Sequence, residues 1–285
     1  MKLRELKLEV SQALLEVYPS EEVASFFVLL SEAYLNMSRL ELALNTEVVV
    51  SEAVSEKFRN AVVRLKAFEP IQYIIGTTEF YSLPFNVTKA TLIPRPETEE
   101  LVDWILNDIP KKENWEGSVL DIGTGSGCIA ISLAKNLPKS SVSALDFSEE
   151  ALKIAKQNAE LNGVSVDFST QNILTVATLP KQYSVIVSNP PYVRELEKKE
   201  MQQNVLRHEP DSALFVSDAD PLVFYRRIAT LAKQHLYKDG LLYFEINEYL
   251  GNELVTMLTE MDYKNVTLKK DIFGRDRMIK CKTNE

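Results

Sequence analysis

The chain has 285 residues, 45% of them hydrophobic and 26% charged, which suits a soluble protein of two unequal domains. No apolar run reaches the ~18 residues of a membrane span, and residues 1–7 alternate charges where a signal peptide needs an apolar core, so a cytoplasmic protein is expected. A net charge of −9 weighs against a protein that grips a nucleic-acid duplex through a basic face, and Cys128 and Cys281 have neither disulfide nor zinc-ligand spacing.

The first 75 residues read as helical. Leu3, Leu6, Val10, Ala13, Leu14 and Val17 recur at helical spacing, and Pro19 ends that helix. Ser20 is placed to cap a second helix, with Glu21 and Glu22 in its first turn and Val23, Phe26, Phe27 and Leu30 inside. Ser38 with Glu41 forms a capping box for a third, and a fourth carries Phe58, Ala61, Val62 and Leu65. Pro70 suits the N1 position of a short turn through Ile75. Gly76 changes the texture: residues 78–93 alternate around the turn-prone Ser82-Leu83-Pro84 and predict a β-hairpin.

Beyond it strands and helices alternate. Helices are predicted over 97–109, 127–136, 149–161, 220–236 and 248–260, with Asp220 as cap and Pro221 at N1 of the fourth. Strands are predicted over 118–122, 142–146, 164–169, 184–188 and 241–246, and 264–270 with 276–282 as a closing antiparallel pair. Such alternation implies an α/β protein, a parallel sheet with helices on both faces.

The first of those strands runs into Asp121-Ile122-Gly123-Thr124-Gly125-Ser126-Gly127-Cys128. Glycines allow a tight turn and close approach of backbone to ligand. Dinucleotide folds use G-x-G-x-x-G to hold a pyrophosphate; here the third glycine falls one residue early and Asp121 would repel a diphosphate. The pattern suits a ligand without phosphate and with a cationic amino-acid end, as in S-adenosylmethionine. Asp146 ends the next strand, 19 residues after Gly127, where a carboxylate can accept both ribose hydroxyls. A ligand-free strand-to-helix turn, with Asp146 as a helix cap, is the plainer alternative.

Strand 184–188 leads into Asn189-Pro190-Pro191-Tyr192. Two prolines stiffen the backbone and remove two N–H donors, leaving the carbonyls of Asn189 and Pro190 and the Asn189 side-chain oxygen as acceptors, with the Tyr192 ring beside them. This combination suits an NH₂ group on a flat conjugated system. Its nitrogen is a poor nucleophile until acceptors take both hydrogens and aim the lone pair at an electrophilic methyl. No strong base is needed, and neither His208 nor His235 falls near the motif. A Pro-rich strand end with a capping Asn is the competing structural reading.

The combined motifs resemble the amino-methyltransferases that act on adenine in DNA, guanine in ribosomal RNA and glutamine in proteins. The segments 70–76, 78–81 and 92–99, Glu209-Pro210 with Ala213-Leu214, and 273–277 are similar to the release-factor glutamine methyltransferases of the HemK/PrmC family. The resemblance implies a Rossmann-like class I methyltransferase sheet over 94–285, a β-hairpin linker over 76–93, and a smaller N-terminal helical bundle over 1–75 that helps dock the partner. It implies that Gly123, Thr124, Gly125, Ser126 and Gly127 line the methionine end of S-adenosylmethionine, with Asp146 at the ribose and Asn172 on the adenine side. Asn172-Ile173 departs from the acidic-aromatic pair more usual in the family. Asn189, which also touches the cofactor, would hold the substrate amide with Pro190, Pro191 and Tyr192; Asn189, Pro190 and Tyr192 are the implied catalytic residues. That amide belongs to the Gly-Gly-Gln loop of peptide-chain release factors. A monomer with no metal, no membrane and no direct nucleic-acid substrate is expected. Pro94-Arg95-Pro96-Glu97 is either helix capping with an ion pair or a wall of the site, and Glu209-Pro210 reads as a structural lid loop. Two other readings stay open: an adenine or guanine amino-methyltransferase, and a non-catalytic S-adenosylmethionine-binding adaptor.

Overall fold

The computed structural model describes residues 1–283, which form two compact units. The smaller comprises Met1–Gly76 and Gln202–His208. Its helices are α1 (Leu3–Leu14), α2 (Ser20–Leu35), α3 (Arg39–Leu44), α4 (Glu52–Lys66) and α5 (Ile71–Ile75). The apolar stripes anticipated from spacing meet in one core: Leu6 and Leu14 of α1, Phe27 and Leu30 of α2, Phe58 and Leu65 of α4 and Ile71 of α5. Phe58 takes the edge-on ring of Tyr34 at 5.5 Å, a favoured aromatic geometry. The Ser38–Glu41 box forms, each side chain bonding the other residue's backbone N–H.

Several local expectations shift. Helix α1 stops at Leu14, because that residue's carbonyl takes the N–H of both Val17 and Tyr18; Val17 lies outside the helix. Pro19 and Pro70, not Ser20 and the first helical position, are the N-caps of α2 and α5; the Pro19 carbonyl receives the Val23 N–H, and the Pro70 carbonyl the N–H of Tyr73 and Ile74. Residues 202–208 join this unit although they lie far along the chain: His208 bonds the Ala67 carbonyl and Arg207 stacks over Phe68.

The larger unit begins with a hairpin, β1 (Thr77–Phe80) and β2 (Leu83–Asn86). It is shorter than expected and turns at Tyr81–Ser82, whose φ values of 50° and 59° give the positive pair a two-residue hairpin loop requires; Pro84 lies within β2. The hairpin is no free linker. Phe80 and Phe85 are buried among Leu101, Ile105 and Ile129, an anchorage of about 2–3 kcal/mol per ring.

Next come α6 (Pro96–Asp108), β3 (Ser118–Ile122), α7 (Cys128–Asn136), β4 (Ser141–Asp146), α8 (Glu149–Leu161), β5 (Asp167–Thr170) and β6 (Tyr183–Ser188). An excursion carries β7 (Val193–Arg194), α9 (Gln203–His208, in the smaller unit), α10 (Asp211–Leu214) and β8 (Phe215–Val216). The chain closes with α11 (Val223–His235), β9 (Leu236–Glu245), α12 (Gly251–Glu260), β10 (Lys264–Lys270) and β11 (Asp276–Lys282). The sheet order is β10-β11-β9-β6-β3-β4-β5, parallel from β9 to β5 and antiparallel at β11 and β10. Alternate strand residues feed opposite faces: Leu120, Ile186 and Phe244 pack on α11 and α12, while Val119, Val185 and Tyr243 pack with α6 and α7. Strand order reverses between β3 and β6, which opens a crevice beyond their C-terminal ends.

Three predicted boundaries move for identifiable reasons. Strand β5 starts at Asp167 because the Val164 N–H still bonds the Ala159 carbonyl and closes α8 around Gly163. Helix α11 starts at Val223; Asp220, expected as its cap, instead pairs with Arg226 at 2.8 Å. Helix α12 starts at Gly251 because Asn247 turns back first, its side chain accepting the Tyr249 N–H. Among the described residues no helix is long and apolar enough to cross a membrane.

Candidate active site

A cavity of about 530 Å³ opens at the C-terminal ends of the parallel strands. Its floor is the loop from β3 to α7. Gly123, Gly125 and Gly127 all adopt positive φ (74°, 55° and 84°), a path that side chains resist. The N–H groups of Gly123 and Thr124 hang on the Leu145 carbonyl, and Gly125 N–H reaches Asp146 Oδ2 at 2.9 Å. Asn158 of α8, fully buried, ties this loop to the hairpin: its Nδ2 donates to Ser126 O and Asn86 O, and its Oδ1 accepts Asn86 N–H at 2.7 Å.

Two carboxylates lie at this end. Asp121 is fully buried; its Oδ2 accepts the Thr124 hydroxyl at 2.6 Å and the Ala130 N–H, while Oδ1 has no partner among the described residues. Burial pushes its carboxyl up to about 7, against the pull of those two donors. Asp146 lines the cavity and accepts Gly125 N–H and Ser148 N–H, one on each oxygen, so each oxygen keeps a lone pair for a ligand. Burial raises its carboxyl too. Two carboxyl groups at this end, one with an orphaned buried oxygen, under a loop whose N–H groups at Gly123, Thr124 and Gly125 are already bonded, fit a cofactor with a cationic end and ribose hydroxyls better than one with a diphosphate. Asn172 lines the wall, but its Oδ1 already accepts Leu174 N–H, a local turn at the position expected to meet an adenine amino group.

Across the cavity stand Asn189, Pro190 and Pro191, directly after β6. Ser188, the last residue of β6, donates to the Ile122 carbonyl at 2.6 Å and fixes the two strand ends together. No turn or loop hydrogen bond among the described residues takes the carbonyls of Asn189 or Pro190. The Asn189 amide nitrogen points to Thr98 Oγ1 at 3.4 Å. Neither histidine lines the cavity; His235 is held by Thr178, Leu179 and Lys181.

Two expected site residues stand elsewhere. Gly127 is the N-cap of α7, behind the loop, where an added Cβ would lie 2.8 Å from Ile131 Cδ1. Tyr192 does not face the cavity: its ring packs into the core on the α11 side, and its hydroxyl donates to Glu245 Oε1 at 3.0 Å. Both alternatives for the 94–97 segment are present at once. Pro94 and Arg95 line the cavity, Pro96 opens α6, and Arg95 forms a 2.5 Å ion pair with buried Glu209, which also accepts the Ile93 N–H. Pro210 joins the wall.

Residues that motif reading passes over are Thr98, Glu245, Asn158 and Phe147. Phe147 lines the cavity and is half exposed, an apolar surface beside Asp146. Thr98 and Glu245 are buried and joined at 2.6 Å. Thr98 lies within the segment 92–99 already singled out; nothing local marks Glu245.

Residues 5–76 match the family model of the PrmC N-terminal domain, and residues 102–214 that of the methyltransferase small domain. The release factor glutamine methyltransferase of Flavobacterium psychrophilum is 50% identical over 281 residues, covering 98% of this chain and 99% of that protein. That of Bacteroides thetaiotaomicron is 46% identical, covering 95% and 96%. A methyltransferase from Pyrococcus furiosus shares the fold, with a TM-score of 0.51 at 19% identity over 79% of this chain and 98% of that one. The glycine loop, the acidic strand ends and the Asn-Pro-Pro corner thus sit in a chain that belongs to the release factor glutamine methyltransferase family.

Proposed function

We propose that this chain methylates the side-chain amide nitrogen (N5) of the glutamine in the Gly-Gly-Gln loop of peptide-chain release factors, with S-adenosylmethionine as methyl donor. The reading is carried by one observation: the glycine loop, Asp146 and Asn189–Pro191 wall a single cavity. When bound, S-adenosylmethionine supplies an electrophilic methyl on a sulfonium. The glycine loop and the carboxylates of Asp121 and Asp146 would hold its amino-acid end and ribose, Phe147 and Asn172 the base. Asn189 Oδ1 and the stiff Asn189-Pro190 carbonyls accept both hydrogens of the glutamine NH₂, raise its electron density and direct its lone pair. After transfer the methylated nitrogen carries a proton acidic enough to leave to water, so no histidine is required.

The helical unit supplies part of the surface that recognises the release factor. The chain acts as a cytoplasmic monomer on a protein rather than on nucleic acid, a reading supported by its net charge of −9. Incubation with methyl-labelled S-adenosylmethionine and, separately, a release factor, duplex DNA and ribosomal RNA tests this. Label in the release factor, abolished when its loop glutamine is replaced, is the expected result. Label in nucleic acid alone would transfer the chain to the amino-methyltransferases of DNA or RNA; cofactor binding without transfer would make it an adaptor.

A further inference from the structure

Glu245 ends β9 with its carboxylate buried, and its two oxygens are divided: Oε2 accepts the Thr98 hydroxyl at 2.6 Å, Oε1 the Tyr192 hydroxyl at 3.0 Å. An ionised carboxylate only accepts. The single hydroxyl proton of Thr98 is therefore committed to Glu245, and toward Asn189 Thr98 offers lone pairs alone. The end of the Asn189 amide that turns to Thr98 must be its NH₂, at 3.4 Å, which leaves Oδ1 for the cavity.

From this chain of donors we infer that Glu245 is a positioning residue which, acting through Thr98, sets the Asn189 amide with its oxygen toward the substrate. The inference rests on the reaction proposed above, since only an NH₂ substrate needs an oxygen there. A glutamine at position 245 would reverse the chain. Its NH₂ can donate to Thr98, the Thr98 proton is freed toward Asn189, and the Asn189 amide turns its own NH₂ to the substrate's.

Protonation of Glu245 would act in the same sense. The groups that face it are Glu97 and Thr98 of α6, Cys128 of α7, Tyr192 after β6, Tyr225 of α11 (bonded to its main-chain carbonyl) and Arg277 of β11. Burial raises its carboxyl above the ordinary range, against the pull of Thr98, Tyr192 and Arg277. The rate should accordingly fall as pH drops through a value higher than an exposed carboxylate shows.

The test uses the full chain with a release factor. Glu245→Gln should lower kcat about 100-fold, the scale of losing one preorganised acceptor, with KM for S-adenosylmethionine changed less than about 3-fold and the acid limb of kcat removed. Thr98→Ser should keep kcat within about 3-fold of the parent while Thr98→Val loses as much as Glu245→Gln, and the Thr98→Val, Glu245→Gln double variant should be no slower than either. Independently of turnover, NMR should show the Asn189 side-chain amide protons in contact with Thr98 in the parent and not in Glu245→Gln. Should the parent fail to methylate any release factor, the reaction assignment falls while this spectrum still decides the orientation. Parent kcat in Glu245→Gln, amide protons turned away from Thr98 in the parent, or joint loss of kcat, cofactor affinity and melting temperature would overturn the inference.

Discussion

The two sides of the cavity are built by different means. The cofactor side is shaped by backbone: three glycines at positive φ turn the loop, and the N–H groups of Gly123, Thr124 and Gly125 tie it to Leu145 and Asp146 at the end of β4. The acceptor side adds to its backbone carbonyls a relay of side chains, with Asn189 leaning on Thr98, 91 residues away, and Thr98 on Glu245, 147 residues beyond it. A backbone cradle tolerates side-chain exchange but resists a Cβ where the backbone is left-handed and packed from behind, as at Gly127. A side-chain relay tolerates isosteric volume but not a reversed donor. The two halves should therefore fail differently when altered.

The largest expected effect falls on the acceptor half. Asn189→Ala removes the amide without touching the glycine loop, and should cost roughly 2–4 kcal/mol of transition-state stabilisation, read as kcat/KM, with cofactor affinity nearly unchanged. A near-parent rate would dissolve the contrast by making the acceptor side dispensable. Next comes the strut between hairpin and loop. Asn158→Ala deletes three hydrogen bonds and leaves both polar groups of Asn86 and the Ser126 carbonyl unanswered. The expected loss is about 2–3 kcal/mol in denaturant-unfolding stability, with weakened cofactor binding. Smaller still is Gly127→Ala, at about 1–3 kcal/mol: φ is 84° and the new Cβ presses on Ile131 and Ala155. Gly125→Ala meets open space and should cost only the ~1–2 kcal/mol of a left-handed backbone. Equal losses at the two glycines would show that packing behind the loop is irrelevant.

The same contrast explains what could be read from the amino acids alone. Periodicity and the glycine spacing are local, so the helical bundle, the strand-helix alternation and the loop beside Asp146 were legible. Boundaries failed where a local bond other than the expected cap won, as when Asp220 paired with Arg226 six residues on instead of capping α11. Tyr192 was expected to show its ring to a ligand because it follows the acceptor carbonyls of Asn189 and Pro190; its hydroxyl instead follows Glu245 inward. Thr98 and Glu245 carry no local signal: one lies in the segment 92–99, the other within a predicted strand over 241–246. Only the packing of α6 against β9 makes them neighbours, and the sheet order then sets the end of β9 beside the end of β6 and Asn189. The excursion between β6 and α11 carried no periodicity from which its short elements could be drawn.

Asp121 offers the finest test, because it belongs to the backbone-built half yet acts by charge. Its carboxyl, raised by burial to about 7 from an ordinary 3.8, holds a proton in the folded state that the unfolded chain has released. In the window between those values the folded state binds more protons, so this group's contribution to stability declines as pH rises, by at most about 1.4 kcal/mol per pH unit. Relative to Asp121→Asn, the parent should therefore lose stability between about pH 4 and 7 and run parallel to the variant above that. On the proposed binding mode a cationic cofactor end set near the orphaned Oδ1 would favour the ionised form, so affinity for S-adenosylmethionine should rise with pH toward 7 in the parent and stay level in Asp121→Asn. Calorimetric titrations at several pH values read both trends. Were affinity to stay level in the parent as well, the carboxylate would be a strut for Thr124 and Ala130 alone, and the cofactor side would owe its grip to the rest of the cavity wall, Asp146 above all.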